Sequence, residues 1–183
     1  MGVTTGMPNA APPPAEALEA DVLAARSEFY LTMAQALTAP MTADACTAMR
    51  RDLADSLEAL TAAAGFREGG AIQRLRRALA DFADDQALLV NYSRLFLVPP
   101  CPVPLNAGFH LDGALYGPSL EAMEACYRAH GVGRSPDFKD MSDHLVAALE
   151  FLSLLYARAA ACAEARDETH ARALATEAAA FVD

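Results

Sequence analysis

Between Pro99 and Pro104 the chain reads Pro99-Pro100-Cys101-Pro102-Val103-Pro104, four prolines in six residues. Each lacks a backbone donor and biases the residue before it toward extended geometry, so neither a helix nor a central strand can run through. Just upstream, Leu88, Leu89, Tyr92, Leu95 and Phe96 recur at helical spacing and form one broad apolar stripe. A helix therefore runs into the proline cluster and stops there. Irregular chain is expected over residues 98 to 117, with Gly108, Gly113 and Gly117 as pivots and Leu105, Phe109, Leu111, Leu115 and Tyr116 as large apolar groups. Loops of that length inside a compact domain are uncommon and often functional. So many large apolar side chains predict an ordered loop packed over helices, with part of its apolar surface free for a partner.

The remainder reads as helices. Leu18, Val22, Phe29, Met33 and Leu37 share a face until Pro40 ends the run. Thr42 is placed to cap a helix with the stripe Cys46, Met49, Leu53, Leu57 and Leu60, closing at a left-handed Gly65. Gly69-Gly70 opens the next, with Ile72, Leu75, Leu79 and Phe82 inward and Arg74, Arg76 and Arg77 mostly outward. Asp84 or Asp85 caps the Tyr92 helix. Beyond the loop, Gly117 or Ser119 starts a short helix carrying Met123, Cys126, Tyr127 and His130 on one side and ending at Gly131. Ser142 is expected to cap a long apolar helix, the central one, through Leu145, Leu149, Leu152, Leu155 and Tyr156. An Ala-rich segment from about 165 to 182 follows. No segment sustains period-two alternation. The expected fold is all-α, a single-domain helical bundle with a long ordered loop containing Pro and Gly. Residues 1–14, with four prolines and little to bury, are expected to be a disordered tail, and residues 15–183 the helical domain.

Several functions are disfavoured. Cys46, Cys101, Cys126 and Cys162 contain no C-x-x-C, and His110, His130, His144 and His170 lack ligand spacing, so no metal or cofactor is expected. No nucleophile elbow, zincin, phosphate-loop or dinucleotide motif occurs, which leaves catalysis without support. Net charge is −10, and residues 81–150 hold ten acidic and four basic side chains, −6 in all. Nucleic acid, which needs a basic footprint, is disfavoured, and a basic ligand is favoured. No apolar run approaches the length of a membrane span, and no basic-then-apolar signal opens the chain. A cytoplasmic location without stable membrane insertion is the expectation.

Tyr92-x-x-Leu95-Phe96, the Pro-rich turn, Gly113-x-Leu115, Gly117-x-Ser119, Tyr127-x-x-x-Gly131 and Asp143-His144-Leu145 before Leu149-Glu150-Phe151-Leu152 resemble, in that order, the TorD/DmsD/NarJ family. Those all-helical cytoplasmic chaperones mature molybdenum enzymes, and the likeness covers residues 16 to 182. Three departures stand out: Leu97-Val98-Pro99-Pro100 where many relatives have Gly, Leu105-Asn106 where Ser is common, and Ser142 where Pro often precedes the Asp-His pair. Relatives also continue past the Phe181 position through a His-Leu pair and a Trp, whereas this sequence ends at Asp183 and has no Trp.

The resemblance implies a system-specific chaperone that holds the twin-arginine leader of a molybdopterin oxidoreductase catalytic subunit until its cofactor is inserted. An alternative is a NarJ-like assembly chaperone whose client has no exported leader. A small-molecule-binding all-α domain is a further alternative, which a concave pocket with perturbed ionisable groups would favour over an elongated apolar groove. The implied peptide site comprises Tyr92, Leu95, Phe96, Pro104, Tyr116, Asp140, Asp143 and His144. Its apolar members receive the leader's apolar stretch, and the carboxylates, with Asp137 beside them, attract its arginines. Each also has a plainer reading. The Tyr92 stripe suits a core, and Asp143 in a first helical turn suits the macrodipole. Monomer and oligomer are both compatible with the sequence.

Overall fold

The computed structural model describes residues 19–67, 70–99, 101–135 and 138–182. The expected disordered tail and Asp137 lie outside the described residues. Among those described, the chain forms α-helices and no strand. They are α1 (Ala20–Ala36), α2 (Ala43–Arg51), α3 (Leu53–Ala63), α4 (Ala71–Ala80), α5 (Asp85–Phe96), α6 (Ala107–Leu111), α7 (Pro118–Ala129), α8 (Leu145–Glu164) and α9 (Glu168–Val182).

The centre is α8, packed most extensively on α1 and then on α9. Val146, Leu149, Phe151, Leu152, Leu155 and Tyr156 are all buried, and each such side chain stabilises the fold by about 1.5–3 kcal/mol relative to exposure. Among the described residues it is the one helix long and apolar enough to cross a membrane, but half of that stretch is buried against its neighbours. Its apolarity is that of a core helix.

The Val22–Met33 stripe of α1 is only half-buried, and the fully covered face carries Leu23, Ser27 and Ala34 instead. The reason is that α1 is wedged between two partners. Ala34 meets Val146 and Leu149 of α8, while Phe29 and Met33 turn toward Ala54 and Leu57 of α3 and Ile72 of α4. Small residues allow the approach to α8, where Ser27 Oγ donates to the Ser153 carbonyl at 2.9 Å. Tyr30 stacks on Tyr156 at 5.6 Å between centroids.

Local signals set most boundaries. Thr42 accepts from Ala45 N–H and Asp84 from Ala87 N–H, each capping its helix. Gly65 and Gly131 sit at φ 70° and 68° where helices end. Three expectations are corrected. The single helix expected from Thr42 to Gly65 breaks at Asp52 into α2, which buries Cys46, and α3, which buries Ala54, Leu57 and Thr61. The expected irregular loop contains a short helix, α6. Ser142 does not cap α8: its hydroxyl donates to Glu124 Oε1 at 2.9 Å, and His144 Nδ1 takes the cap, accepting from Val146 N–H at 3.2 Å.

Candidate functional site

The segment between α5 and α7 is tied down at its start, middle and end. At the start it folds back on α5, with Cys101 Sγ–H donating to the Phe96 carbonyl at 3.3 Å and Val103 N–H to the Leu95 carbonyl at 3.3 Å. In the middle it runs antiparallel to the residues before α8. Leu145 N–H donates to the Leu105 carbonyl at 2.7 Å, and Ala107 N–H to the Asp143 carbonyl at 2.9 Å. At the end, Asp112 accepts from both the N–H and the hydroxyl of Ser119, at 3.0 and 2.9 Å, in the first turn of α7. His110 Nε2, carrying the proton, donates to the Pro104 carbonyl at 2.8 Å and braces the interior.

Two glycines expected as pivots serve by having no side chain. Gly108 and Gly117 lie outside the left-handed region, whereas Gly113 has φ 69°. A Cβ on Gly108 would lie 2.9 Å from the Ala114 carbonyl oxygen and 3.0 Å from Asp143 Oδ2. A Cβ on Gly117 would overlap the Asp112 carboxylate.

This bracing holds apolar groups in solvent. Seven of the twelve exposed large apolar side chains among the described residues fall between positions 97 and 116: Leu97, Val98, Val103, Phe109, Leu111, Leu115 and Tyr116. Leu111 is 73% and Tyr116 82% exposed. Leu145, 39% exposed, joins them through its bond to Leu105. Singly exposed apolar residues are ordinary, and seven on one braced segment set it apart from the rest of the described surface.

The eight residues expected at the site divide. Tyr92 is buried, its hydroxyl donating to the Leu37 carbonyl at 2.8 Å and its ring 5.0 Å from that of Phe96. Burial pushes the Tyr92 hydroxyl above the ordinary tyrosine range, so it stays a donor. Leu95, Phe96 and Pro104 are half-buried at the start of the loop, and Tyr116 projects from it. Asp140 is exposed, with one oxygen 3.7 Å from His144 Nε2, and the His144 ring edges Phe138.

Asp143 is the departure. It is 0% exposed and precedes α8 rather than standing in its first turn, so no guanidinium reaches it from solvent. Its Oδ1 accepts from Asn106 Nδ2 at 3.0 Å and its Oδ2 from Gly108 N–H at 2.9 Å. Sequence reasoning missed Asn106, because the partners of Asp143 lie 35 and 37 residues away and leave no local signature, and it missed Asp112, which bonds Ser119 only seven residues on. The Gly117-x-Ser119 step, whose Ser lies seven residues after Asp112, was the available hint of that second anchor.

Beside the start of α8 a cavity of about 270 Å³ is lined by Tyr127, Val132, Phe138, Ser142, Phe151 and Leu154, with Arg134 and Glu150 also bordering it. The Tyr127 hydroxyl donates to the Ser142 carbonyl at 3.1 Å, and burial, then the charges of Cys126 and Asp143, push its pKa far up. A larger cavity, about 490 Å³, lies between α1, α2 and α3 and shares no residue with the loop. Among the described residues no group of three or more His, Cys, Asp or Glu side chains is arranged to hold a metal ion.

The described residues thus form an all-helical scaffold that carries a braced, solvent-facing apolar segment. The model of the nitrate reductase delta subunit family matches residues 47–183, and the chain belongs to that family, the NarJ- and TorD-type chaperones of redox enzyme maturation. It is a chaperone, not a catalyst, and its partner class is a molybdoenzyme subunit. No curated protein matches the chain. A crystal structure of a candidate redox enzyme maturation protein from Archaeoglobus fulgidus is 23% identical, covering 85% of this chain and 90% of that one at a TM-score of 0.45.

Proposed function

We propose that this chaperone works in the cytoplasm and binds the N-terminal twin-arginine leader of a molybdopterin oxidoreductase catalytic subunit, holding it until the enzyme is mature. The observation that carries the reading is the row of exposed apolar side chains from Leu97 to Tyr116 on a segment braced at its start, middle and end. A leader's apolar stretch, helical when bound, offers a complementary stripe to Leu97, Phe109, Leu111 and Tyr116. Half-buried Leu95, Phe96 and Pro104 form the base of that surface. Asp140 and Glu150 are exposed carboxylates near the start of α8, suited to meet the paired arginines. Tyr92 and Asp143 contribute from beneath.

A second reading is favoured by the family's own description as nitrate reductase delta subunit. In it the client carries no exported leader, and the same surface holds an N-terminal segment during assembly. Titration calorimetry with the N-terminal peptide of a molybdopterin oxidoreductase catalytic subunit from the same genome tests both. Saturable binding that Tyr116→Asp weakens by about tenfold or more supports the shared surface, and equal binding to wild type and variant refutes it. Replacing the peptide's arginine pair by glutamine separates the two: weaker binding selects the leader, unchanged binding the assembly role.

A further inference from the structure

Resting on the client-binding reading of the loop, we infer that Asp143 is a positioning residue, a buried latch that sets the geometry of the binding surface without touching the client. Four observations meet at this side chain. It is wholly buried, so its charge is unavailable to a ligand. Both of its oxygens are occupied from within the loop, by the Asn106 amide and the Gly108 N–H. Its backbone carbonyl takes the Ala107 N–H, so one residue accepts from three consecutive loop positions, 106 to 108. Gly108 admits no Cβ because Asp143 Oδ2 and the Ala114 carbonyl close on it from two sides.

The consequence is mechanical. Phe109 and Leu111, 50% and 73% exposed, stand one and three residues beyond Gly108 on a helix of a single turn. A helix that short does not hold itself together, so its orientation is set by what grips its first residues. Asp143 is that grip. Asp112 provides the corresponding hold at the far end, through Ser119. A surface fixed in this way meets its client already ordered, and the ordering cost is met in folding rather than in binding. The side chain's effect on affinity then passes through the loop, and the client's charge plays no part in it.

The test uses the full chain with Asp143→Asn, Asn106→Ala and the double variant. The readouts are site-resolved amide hydrogen exchange and titration with the client N-terminal peptide at low and high salt. Each single variant is expected to speed exchange across residues 106–112 by about tenfold or more while the core amides of α8 stay protected. Each is expected to weaken peptide binding by about tenfold with the wild-type salt dependence, since a tenfold change corresponds to loss of about one such hydrogen bond. The double variant should be little worse than Asp143→Asn alone. Asn106→Ala, which leaves the carboxylate in place, decides the matter if Asp143→Asn fails to fold. The latch is overturned if loop exchange is unchanged in Asn106→Ala. It is equally overturned if Asp143→Asn flattens the salt dependence while Asn106→Ala binds as wild type, because that pattern is direct contact with a cationic client. Failure of the client reading looks different: Leu111→Asp and Tyr116→Asp leave binding untouched while the exchange result still reports on the latch.

Discussion

At the scale of single residues, the division is between side chains that face solvent and those that hold them there. Leu111 and Tyr116 have few contacts to lose, so a charge at either should alter stability by no more than about 0.5 kcal/mol. Leu111→Asp and Tyr116→Asp are therefore expected to melt like wild type and to bind the client peptide at least about tenfold more weakly, a loss of about 1.4 kcal/mol. Paired thermal melts and titrations check this. Tyr92 is expected to behave in the opposite way. Tyr92→Phe removes a buried hydroxyl's bond to the Leu37 carbonyl and should lower stability by about 0.5–1.5 kcal/mol, leaving peptide affinity unchanged. Denaturant unfolding of this variant gives the first number and calorimetry the second.

At the scale of elements, the joints carry the predictions. Gly117→Ala should displace the Asp112 carboxylate from Ser119 and loosen the start of α7, detected as lost protection of the Ser119 amide. The α2–α5 joint depends on pH. Hydrogen bonds from Thr47 and then Arg50 hold the Asp85 carboxyl below its ordinary range. A depressed carboxylate pKa gives stability that is complete above the unfolded value, about 4, and lost as pH falls through the folded one. The melting gap between wild type and Asp85→Asn should thus be steady near neutrality and close on acidification, as melts along a pH series would show. Helices whose boundaries follow from local chemistry were legible in sequence: Thr42 caps α2, Asp84 caps α5, and glycines close α3 and α7. The α1 face was not, because burial of Ser27 and Ala34 follows from the closeness of α8, which periodicity cannot register. The α8 cap was not either, since tertiary contact drew Ser142 to Glu124 and left His144 to bond Val146.

At the scale of the whole molecule, an exposed apolar surface has to be kept from collapsing onto the core that surrounds it. The bundle of α1, α3, α8 and α9 does so by completing its own burial, while the loop's anchors keep Phe109, Leu111 and Tyr116 outside it. The fold class and the position of that loop could be read from prolines and stripes alone. The interior anchors could not, because they join residues 35 and 37 positions apart. The −6 charge of residues 81–150 overstates what a client would meet, since Asp143 is buried and Asp84, Asp85 and Asp112 are hydrogen-bonded within the chain. Binding is therefore expected to be mainly apolar. Between about 0.1 M and 1 M salt the Debye length falls from about 10 Å to about 3 Å, which weakens exposed charge contacts and spares apolar ones. The most direct measurement is titration of the chain with its client's N-terminal peptide at both salt concentrations, beside the double variant Leu111→Asp, Tyr116→Asp. Affinity that weakens only several-fold in high salt and is lost in the folded variant is the predicted result. Binding abolished by salt, or retained by the variant, would contradict the account.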